Sequence, residues 1–388
     1  MKVALVCDWL TNVGGAEKVL LEVHKLFPEA PIYTSKYDPK GISWFKDADI
    51  RTGWMQIFPA TWRRILGPFR QLYFSHLNLS GYDLVISVTG AEAKAVSAPD
   101  GVHISYCHVP TQYYWQMHDE YIKDPGFNKM NAAVRFFFRL LVKPLRKADF
   151  RAAEKVDFFV TISDYAKELI RKYYRREATV IHPPVEISDF AIKTLKKQMA
   201  TKREVTGVAL RDKSRGVVEK SVENFYVVTS RQVTWKRLDL AIRACLELER
   251  PLLVIGEGPE HKKLVKMARG SEFVRFLPLM DKAELAEYLA RAKGYLFPSL
   301  EPFGIAPVEA LAAGCPVIAF REGGVRDYVK DGVNGVLFDK QNVKSLVFAM
   351  KKFEKMKFER GKVSRTAKEF DGKRFDAELM GFVHEKVK

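Results

Sequence analysis

The stretch VALVCDWLTNVGGAEKVLLEVHKLF, residues 3–27, decides the fold class of this 388-residue chain. Residues 3–8 form an apolar run that ends on an acid, which predicts a buried strand, and residues 15–27 have the apolar spacing of an amphipathic helix. Gly14-Gly15 lie where that helix begins, so their backbone N–H groups can approach an anion. The stretch therefore predicts the strand–turn–helix unit of a doubly wound α/β sheet.

The same alternation of strand and helix continues through both halves of the chain. Apolar runs rich in Val, Ile, Leu and Phe are typical of parallel strands buried on both faces. At roughly 100–200 residues per domain, the length indicates two domains. We therefore expect two doubly wound, Rossmann-like domains that face each other across a cleft. Predicted strands are 3–8, 31–35, 83–89, 103–109, 157–163, 178–182, 224–230, 252–256, 273–277, 295–298 and 316–320; predicted helices are 15–27, 164–174, 236–249, 260–268, 282–292, 305–313, 342–356 and 374–386.

A basic segment separates the two halves. Residues 191–220 hold nine Lys/Arg and three Asp/Glu and have no clear periodicity, which indicates a solvated insertion. The predicted division is an N-terminal domain over 1–188 and a linker with insertion over 189–220. A C-terminal domain follows over 221–370, and a last helix over 371–388 could pack back on the N-terminal domain.

The charge balance favours an anionic partner. Lys and Arg number 64 against 47 Asp and Glu, a net charge of +17, which suits nucleotide phosphates, nucleic acid or a membrane surface. Residues 50–82 contain no acid, and residues 135–155 hold seven cations and two acids, in both cases among aromatic residues. This pattern suits an anionic membrane interface. A nucleic-acid-binding surface would have the same pattern, and so would aromatic residues in the core beside a solvated basic face.

Two cations follow the strand predicted at 224–230. Arg231 is expected at the carboxyl end of the strand and Lys236 at the start of the next helix. A cation at a helix N-terminus is locally unfavourable, and a bound anion would offset that cost. The planar fork of Arg and the point charge of Lys together suit a diphosphate held without a metal.

Two acids flank the start of the helix predicted at 305–313. Glu301 lies in the preceding loop and Glu309 inside an otherwise apolar helix. Eight helical residues span about 12 Å, which is too far for two carboxylates to share a proton. The spacing suits a grip on two polar parts of one elongated ligand, and Phe303-Gly304-Ile305 could offer N–H groups to a phosphate.

Two further features are weaker. His108 ends the strand predicted at 103–109, where a side chain reaches the ligand-binding edge of such a sheet, although a lone His is more often structural. Asp47-Ala48-Asp49 has the Asp-x-Asp spacing of a metal site, but it lies far in sequence from the other motifs. We therefore expect no metal and no cofactor.

In their order along the chain, these motifs resemble the retaining nucleotide-sugar glycosyltransferases of family 4, which have the GT-B fold. The element from Glu301 to Glu309, preceded by Pro298-Ser299, is the most specific part of the resemblance. The N-terminal half is most similar to O-antigen and exopolysaccharide mannosyltransferases. The other matching positions are Gly14-Gly15, His108, Arg231 with Lys236, Gly256-Glu257-Gly258-Pro259 and Gly323-Gly324.

The resemblance makes 1–188 the acceptor-side domain and 221–370 the nucleotide-sugar-binding domain, and it implies a role for each motif. Gly14 and Gly15 would bring backbone to the donor diphosphate, and Arg231 with Lys236 would neutralise it. Glu301 would hold hydroxyls of the donor sugar, and Glu309 those of the ribose. The remaining assignments are His108 at the 6-hydroxyl of the sugar, Phe303, Gly304 and Ile305 near the sugar, and Leu279-Met280 near the base.

The resemblance also implies the reaction. It is the metal-independent transfer, with retention, of a hexose to a glycan or polyprenyl-linked acceptor, with mannose from GDP-mannose as the first choice of donor. UDP-sugars stay open as donors, and a nucleic-acid or membrane-binding protein and an inactive sugar-nucleotide sensor stay open as other classes. No recognised nucleic-acid motif is present, so no specific nucleic acid is expected. The expected location is the cytoplasm, with peripheral contact to the inner face of the cell membrane.

Overall fold

The computed structural model describes residues 1–60, 62, 66–123, 131–191 and 224–387. The chain divides into two compact units, Met1–Pro184 with Lys373–Lys388, and Val185–Gly372. The first unit thus ends before the boundary predicted at 188. Ile187 and Phe190 are buried in the second unit, and the Val185 N–H donates to the Phe370 carbonyl over 2.9 Å. Residues 192–220 of the predicted linker and insertion lie outside the described residues.

The N-terminal unit is built on a seven-stranded parallel sheet in the order β3-β2-β1-β4-β5-β6-β7. All six residues of its central strand, β4, are buried, because helices cover both faces of the sheet. The strands are β1 Val3–Cys7, β2 Ile32–Thr34, β3 Ile50–Arg51, β4 Leu84–Thr89, β5 Val102–Cys107, β6 Phe158–Thr161 and β7 Ala178–Val180, and the helices are α1 Gly15–Leu26, α2 Gly67–Ser75, α3 His118–Lys123, α4 Asn131–Glu154 and α5 Asp164–Tyr174.

The C-terminal unit has a six-stranded parallel sheet in the order β10-β9-β8-β11-β12-β13. The prediction of two doubly wound, Rossmann-like α/β domains is therefore confirmed. The strands are β8 Tyr226–Thr229, β9 Leu252–Ile255, β10 Val274–Leu277, β11 Gly294–Phe297, β12 Val317–Phe320 and β13 Gly335–Phe338, and the helices are α6 Ile187–Phe190, α7 Leu238–Leu248, α8 His261–Met267, α9 Lys282–Arg291, α10 Ile305–Ala312, α11 Val325–Tyr328, α12 Val343–Glu354 and α13 Arg360–Thr366.

Every predicted strand and helix occurs, with ends that differ by at most two residues. The helix predicted from 236 begins at Leu238, because Thr234–Lys236 form a 3-10 turn and Arg237 takes a left-handed φ of 52°. The long helix α4 was not predicted. Apolar residues lie on its exposed face as well as its buried face, so the sequence shows no single apolar stripe.

The last helix, α14 (Gly372–Lys386), packs in the N-terminal unit. Its Phe375 ring meets Tyr106 edge-on at 5.8 Å, and the Arg374 guanidinium donates to the His182 carbonyl over 2.9 Å. These contacts place the last helix beside β5.

The Glu354 carboxylate at the end of α12 ties together three parts of the C-terminal unit. It accepts from Arg250 at 2.8 and 3.0 Å, from Lys293 at 2.8 Å and from the Tyr226 hydroxyl at 3.1 Å. These hydrogen bonds, with the Arg250 pair foremost, lower the pKa of Glu354 to about 2. Since the folded pKa lies below the unfolded value of 4.5, the stabilisation is complete above pH 4.5 and is lost as the pH falls towards 2.

We expect Glu354→Gln to lower the free energy of unfolding by about 2 kcal/mol at pH 7, because hydrogen bonds to a charged group contribute about that much. Below pH 4.5 the difference from wild type should shrink, because wild type loses the same stabilisation. Urea denaturation at several pH values measures it. Glu260→Gln, which removes a carboxylate paired with Lys263 on the surface of the same unit, is the control and should follow wild type. Parallel pH curves for E354Q and wild type would contradict the assignment.

Candidate active site

The order of strands in the C-terminal sheet singles out one edge position for a ligand. β8 and β11 are neighbours, but the chain runs from β8 to β9 and β10 on one side and from β11 to β12 and β13 on the other. Open α/β sheets bind ligands at the carboxyl ends of the strands where the order reverses in this way. The loops at this point are 230–237, after β8, and 298–304, after β11. They contain five of the predicted site residues, namely Arg231, Lys236, Glu301, Phe303 and Gly304.

An ion pair joins these two loops. The Lys236 Nζ lies 2.6 Å from the Glu301 Oε2, and both side chains are partly open to solvent. Sequence analysis placed Lys236 at a diphosphate and Glu301 at a sugar but did not predict contact between them. The structure brings a cation and a carboxylate together at the point where the strand order reverses.

The other oxygen of the Glu301 carboxylate is also held. The buried Ser299 hydroxyl donates to Glu301 Oε1 over 2.7 Å, so the carboxylate is fixed from two sides. The backbone of the loop rests on Gly323-Gly324, where the Gly324 N–H donates to the Glu301 carbonyl over 2.9 Å. A Cβ on Gly324 would lie 2.1 Å from the Pro302 carbonyl oxygen, which explains the glycine.

We expect Gly324→Ala to displace the loop that carries Glu301, because backbone atoms have no room to yield to a Cβ at that distance. A displacement on the order of 1 Å can lower the rate of a positioned reaction about 100-fold. Donor titration by thermal shift should show a clearly raised dissociation constant. Gly361→Ala, whose Cβ would have no neighbour closer than 3.8 Å, is the control. An unchanged dissociation constant for the donor in G324A would show that donor binding does not depend on the position of the loop that carries Glu301.

Glu309 lies half-buried in α10, whose first residue is Ile305. Burial, together with the negative charges of Glu301 and Glu309, raises the pKa of Tyr295 on β11. The Tyr295 hydroxyl donates to the Thr229 carbonyl over 3.0 Å and thereby joins the end of β8 to β11. Sequence analysis missed Tyr295, because an aromatic residue inside an apolar run has the pattern of an ordinary core residue.

The start of α10 is also shaped by packing. Gly304 has a φ of 97°, and a Cβ there would lie 2.7 Å from the Phe297 ring. Phe303 is buried, and its carbonyl accepts from the Tyr328 hydroxyl over 2.7 Å. The first N–H groups of a helix lack partners within the helix, so the backbone at Ile305 can donate to a ligand.

Arg231 and the loop after β9 lie beside the same strand end. Arg231 is exposed and makes no ion pair with the described part of the chain. Its neighbour Gln232 is fully buried, donates to the Gly256 carbonyl and lies 2.8 Å from the His261 ring nitrogen. Gln232 thus fixes the backbone that carries Arg231, a role that its place in the motif does not reveal.

Leu279 and Met280 lie apart from the ion pair. They follow β10, which stands two strands from β8, or about 10 Å at the usual spacing of strands. Leu279 is 80% exposed and Met280 is half-buried, so both can meet a ligand. The distance is compatible with one elongated ligand that reaches from this edge to Lys236.

The N-terminal sheet reverses its strand order between β1 and β4. Gly14 precedes α1 there with an extended backbone, and Gly15 is the exposed first residue of the helix. The buried Asp8 carboxylate orders the facing loop, since it accepts from the Thr89 hydroxyl at 2.9 Å and from the Gly90 N–H at 3.0 Å. Sequence analysis treated Asp8 as the end of a strand and missed this contact.

His108 follows β5 and lies next to this point. Its backbone N–H donates to the Thr89 carbonyl over 2.8 Å, and its ring meets Tyr106 edge-on at 5.6 Å. Burial lowers the pKa of His108 to about 4, so its imidazole is neutral at physiological pH. The Nε2 atom is buried without a hydrogen-bond partner among the described residues. A neutral ring with one unpaired nitrogen can form a hydrogen bond to a sugar hydroxyl.

A buried polar network that sequence analysis did not predict supports the same unit. Arg70, which lies in the acid-free segment 50–82, is buried and pairs with Glu92 at 2.9 Å. Lys94 pairs with Asp149 at 2.6 Å, also away from solvent. Among the described residues, no group of three or more His, Cys, Asp or Glu could hold a metal ion, and Asp49 instead pairs with Arg51 at 2.8 Å.

Comparison with known proteins identifies the C-terminal unit. Residues 211–370 match the family described as glycosyl transferases group 1. The chain carries a glycosyl transferase group 1 domain. The predicted donor-site residues from Arg231 to Glu309 all lie within this glycosyltransferase domain.

Three known proteins illustrate the relationship. The alpha-1,3/1,6-mannosyltransferase ALG2 of Mus musculus is 24% identical over 386 residues, which covers 88% of this chain and 85% of that protein. The GDP-mannose-dependent alpha-(1-6)-phosphatidylinositol monomannoside mannosyltransferase of Mycolicibacterium smegmatis is 34% identical over 140 residues, 32% of this chain and 37% of that protein. The crystal structure of Anabaena HepE in complex with UDP-glucose superposes with a TM-score of 0.66 at 16% identity, over 99% of this chain and 100% of that one. The last likeness shows the GT-B fold alone.

Proposed function

We propose that this protein is a retaining, metal-independent glycosyltransferase that transfers mannose from GDP-mannose to a glycan or polyprenyl-linked acceptor. The observation that carries the proposal is the Lys236–Glu301 pair at the reversal point of the C-terminal sheet. That pair lies inside a glycosyl transferase group 1 domain, and Glu309 lies on the helix that begins beside it.

The ion pair is suited to a donor whose charge grows during the reaction. As the bond between the sugar and the diphosphate breaks, negative charge accumulates on the leaving phosphate. A fixed cation aimed at that position stabilises the transition state more than the ground state. Lys236 would then exchange part of its interaction with Glu301 for the phosphate, and Arg231, which has no ion-pair partner in the described part of the chain, would add a second cation.

The carboxylates would hold the two ends of the donor. Glu301, kept in place by Ser299, would accept from sugar hydroxyls, and Glu309 would accept from the ribose. The neutral His108 ring would bond the 6-hydroxyl of the sugar through its unpaired Nε2. Because a buried polar site left unpaired costs free energy, these groups discriminate against a ligand that lacks the matching hydroxyl.

The proposed transfer needs no side chain that acts as a general base. The acceptor oxygen attacks on the face that the diphosphate leaves, the bond from the anomeric carbon to the phosphate oxygen breaks, and a new bond to the acceptor oxygen forms. The proton of the acceptor hydroxyl passes to the departing phosphate oxygen. The cations then stabilise the nucleoside diphosphate product, and the anomeric configuration is retained.

The donor assignment is supported by the two mannosyltransferase relatives, one of which is described as GDP-mannose-dependent. A UDP-sugar is the second candidate, because a protein of the same fold was crystallised with UDP-glucose. The two candidates differ in the base and in the sugar, so both can be compared in one binding experiment.

A thermal-shift panel of GDP, UDP, ADP and their common sugar conjugates tests the donor. A ligand that binds only the folded state raises the free energy of unfolding, by about 2.7 kcal/mol at 100 times its dissociation constant, and the unfolding midpoint rises with it. We expect the largest shift with GDP-mannose. A selective shift with a UDP-sugar would replace the donor and keep the reaction. No shift with any nucleotide sugar would overturn the proposed function.

A further inference from the structure

Trp235 presents an indole ring to solvent in the loop that carries Arg231 and Lys236. It lies in the 3-10 turn Thr234–Lys236, one residue before the lysine that pairs with Glu301, and it is 45% exposed. Within the described part of the chain, Trp235 makes no hydrogen bond and meets no other aromatic ring. The indole is therefore available to a ligand at the candidate active site.

A tryptophan of the N-terminal unit with the same exposure shows what ring packing looks like. Trp54 is also 45% exposed, but its ring meets those of Phe58, Phe69 and Tyr73 edge-on at 6.2, 6.5 and 6.1 Å. Such contacts stabilise the fold of a unit. Single exposed apolar residues are common on protein surfaces, so exposure alone assigns Trp235 no function. Its position beside the cation of the candidate active site does.

Hydrogen bonds of the backbone fix the turn that carries Trp235. The Lys236 N–H donates to the Val233 carbonyl over 3.1 Å, and the Arg237 N–H donates to the Thr234 carbonyl over 3.2 Å. Arg237 takes a left-handed φ of 52°, which is costly for a residue other than glycine. Backbone strain of this kind is concentrated at functional sites.

The Arg237 side chain ties the turn to the loop that carries Glu301. Its guanidinium donates to the Gln341 side-chain oxygen over 3.2 Å, and the Gln341 amide donates to the Pro298 carbonyl over 2.9 Å. Pro298 is the first residue of that loop. The backbone beneath Trp235 is thus fixed before a ligand arrives, which lowers the entropic cost of binding to its ring.

An indole matches the surface of a sugar ring. Its faces are apolar and electron-rich, and its one polar group, the Nε1–H, only donates. A pyranose offers a face of C–H groups to such a ring and has hydroxyl oxygens at its edge that accept a hydrogen bond. Stacking on one face of the sugar and donation to one hydroxyl together fix both the position and the orientation of the ring.

We propose that Trp235 binds the acceptor, and that the acceptor carries its reactive hydroxyl on a pyranose ring stacked against this indole. The inference rests on the proposed function, because attack on the face that the diphosphate leaves brings the acceptor oxygen to the departing phosphate. Lys236 marks that place, and Trp235 is its neighbour in the same fixed turn. Trp235 then selects a glycan acceptor over a polyprenyl phosphate without sugar.

Other ligands fit Trp235 less well. The nucleobase is expected near Leu279 and Met280, which follow a strand about 10 Å from β8. A phosphate binds cations and N–H groups, such as Lys236 and Arg231, in preference to the face of an apolar ring. A stable protein partner needs about 800 Å² of surface on each side, far more than one indole offers.

The test measures release of nucleoside diphosphate from the donor that thermal shift selects. The acceptor probes are the methyl pyranosides of mannose, glucose, galactose and N-acetylglucosamine, with farnesyl phosphate as the probe without sugar. We expect at least one pyranoside to accelerate release by wild type, and farnesyl phosphate to have no effect. Trp235→Ala should raise the KM for that pyranoside at least tenfold and change kcat little, because the same stacking exists before and during the reaction.

A second variant separates stacking from a structural role. Trp235→Phe keeps an aromatic face but lacks the N–H, so its KM should lie between those of wild type and W235A. A displaced turn would instead lower kcat, because Lys236 would move with it. Phe348→Ala removes a 72% exposed aromatic residue from α12 of the same unit and should leave both constants unchanged.

Donor binding distinguishes failure of this inference from failure of the proposed function. W235A should keep the donor-induced thermal shift of wild type, since the loss concerns the acceptor. If wild type itself gave no shift with any nucleotide sugar, the proposed function would fail first.

Three results, each with a normal donor shift in wild type, would overturn the assignment of Trp235. One is an equal KM for the pyranoside in wild type and W235A. Another is loss of the donor-induced shift in W235A, which would make the indole part of the donor site. The third is release by wild type that none of the four methyl pyranosides accelerates, whether or not farnesyl phosphate does.

Discussion

Lys236→Ala should lower kcat/KM for the donor by about 100- to 1,000-fold, the effect of removing one charge-stabilising group from an active site. Lys236 is placed for this role because its ammonium lies 2.6 Å from Glu301 where the C-terminal sheet reverses its strand order. The loss should fall mainly on kcat, since the cation acts on charge that develops as the diphosphate leaves. Steady-state kinetics with the donor selected by thermal shift measures it.

Lys263→Ala is the matched control for that experiment. Lys263 lies in the same unit and also pairs with a carboxylate, Glu260, at 2.8 Å, but it is on the surface of α8. Its loss should change kcat/KM by less than about twofold, as is usual for surface charge pairs. If K236A retained a third or more of wild-type kcat/KM, the pair would have no part in the chemistry. If K236A lost the donor-induced thermal shift while calorimetry gave an unchanged dissociation constant for the donor, the thermal shift would not be a measure of donor binding at this site.

Asp149→Ala should destabilise the N-terminal unit by about 3–5 kcal/mol, because it leaves the buried ammonium of Lys94 without a counter-charge. Both oxygens of the Asp149 carboxylate are in use. Thr111 and Lys94 donate to one oxygen at 2.8 and 2.6 Å, and Trp115 and Tyr174 each donate to the other at 2.7 Å. Urea denaturation followed by circular dichroism measures the change.

The double variant Lys94→Met, Asp149→Leu separates charge from packing. It removes both ions and should recover part of the loss, since a buried ion pair replaced by apolar residues is often close to neutral in stability. Asp49→Ala breaks the exposed pair with Arg51 and should cost about 0–1 kcal/mol. A loss below about 1 kcal/mol for D149A would contradict the proposed cost of an unpaired buried charge. If D149A does not fold, Asp149→Asn keeps the shape of the side chain and gives the same comparison.

The local elements follow directly from the sequence. Strands such as β4 and β9 are buried on both faces, so each is an apolar run that periodicity detects without tertiary information. The glycine pairs and the span from Glu301 to Glu309 are local as well, and the resemblance to a glycosyltransferase family depends on their order in the chain. The short strand β3 and the two-sided helix α4 escaped prediction because neither has the usual pattern of its class.

Contacts across the sheet depend on the tertiary structure. The ion pair between Lys236 and Glu301 exists because β8 and β11 are neighbours although β9 and β10 lie between them in sequence. Tyr295 became a site residue only through that pairing, since its hydroxyl donates to the Thr229 carbonyl on the neighbouring strand β8.

The sequence by itself determined the two α/β domains, the positions of the candidate donor residues and the basic, aromatic character of 50–82 and 135–155. Only the tertiary structure decided which of those cations and rings face solvent. Arg70 and Phe74 are buried, whereas Phe136 and Leu140 are exposed, although all four lie in segments of similar composition. The physical reason is that burial depends on the surface that packs against a side chain, and that surface is supplied by residues far away in the chain.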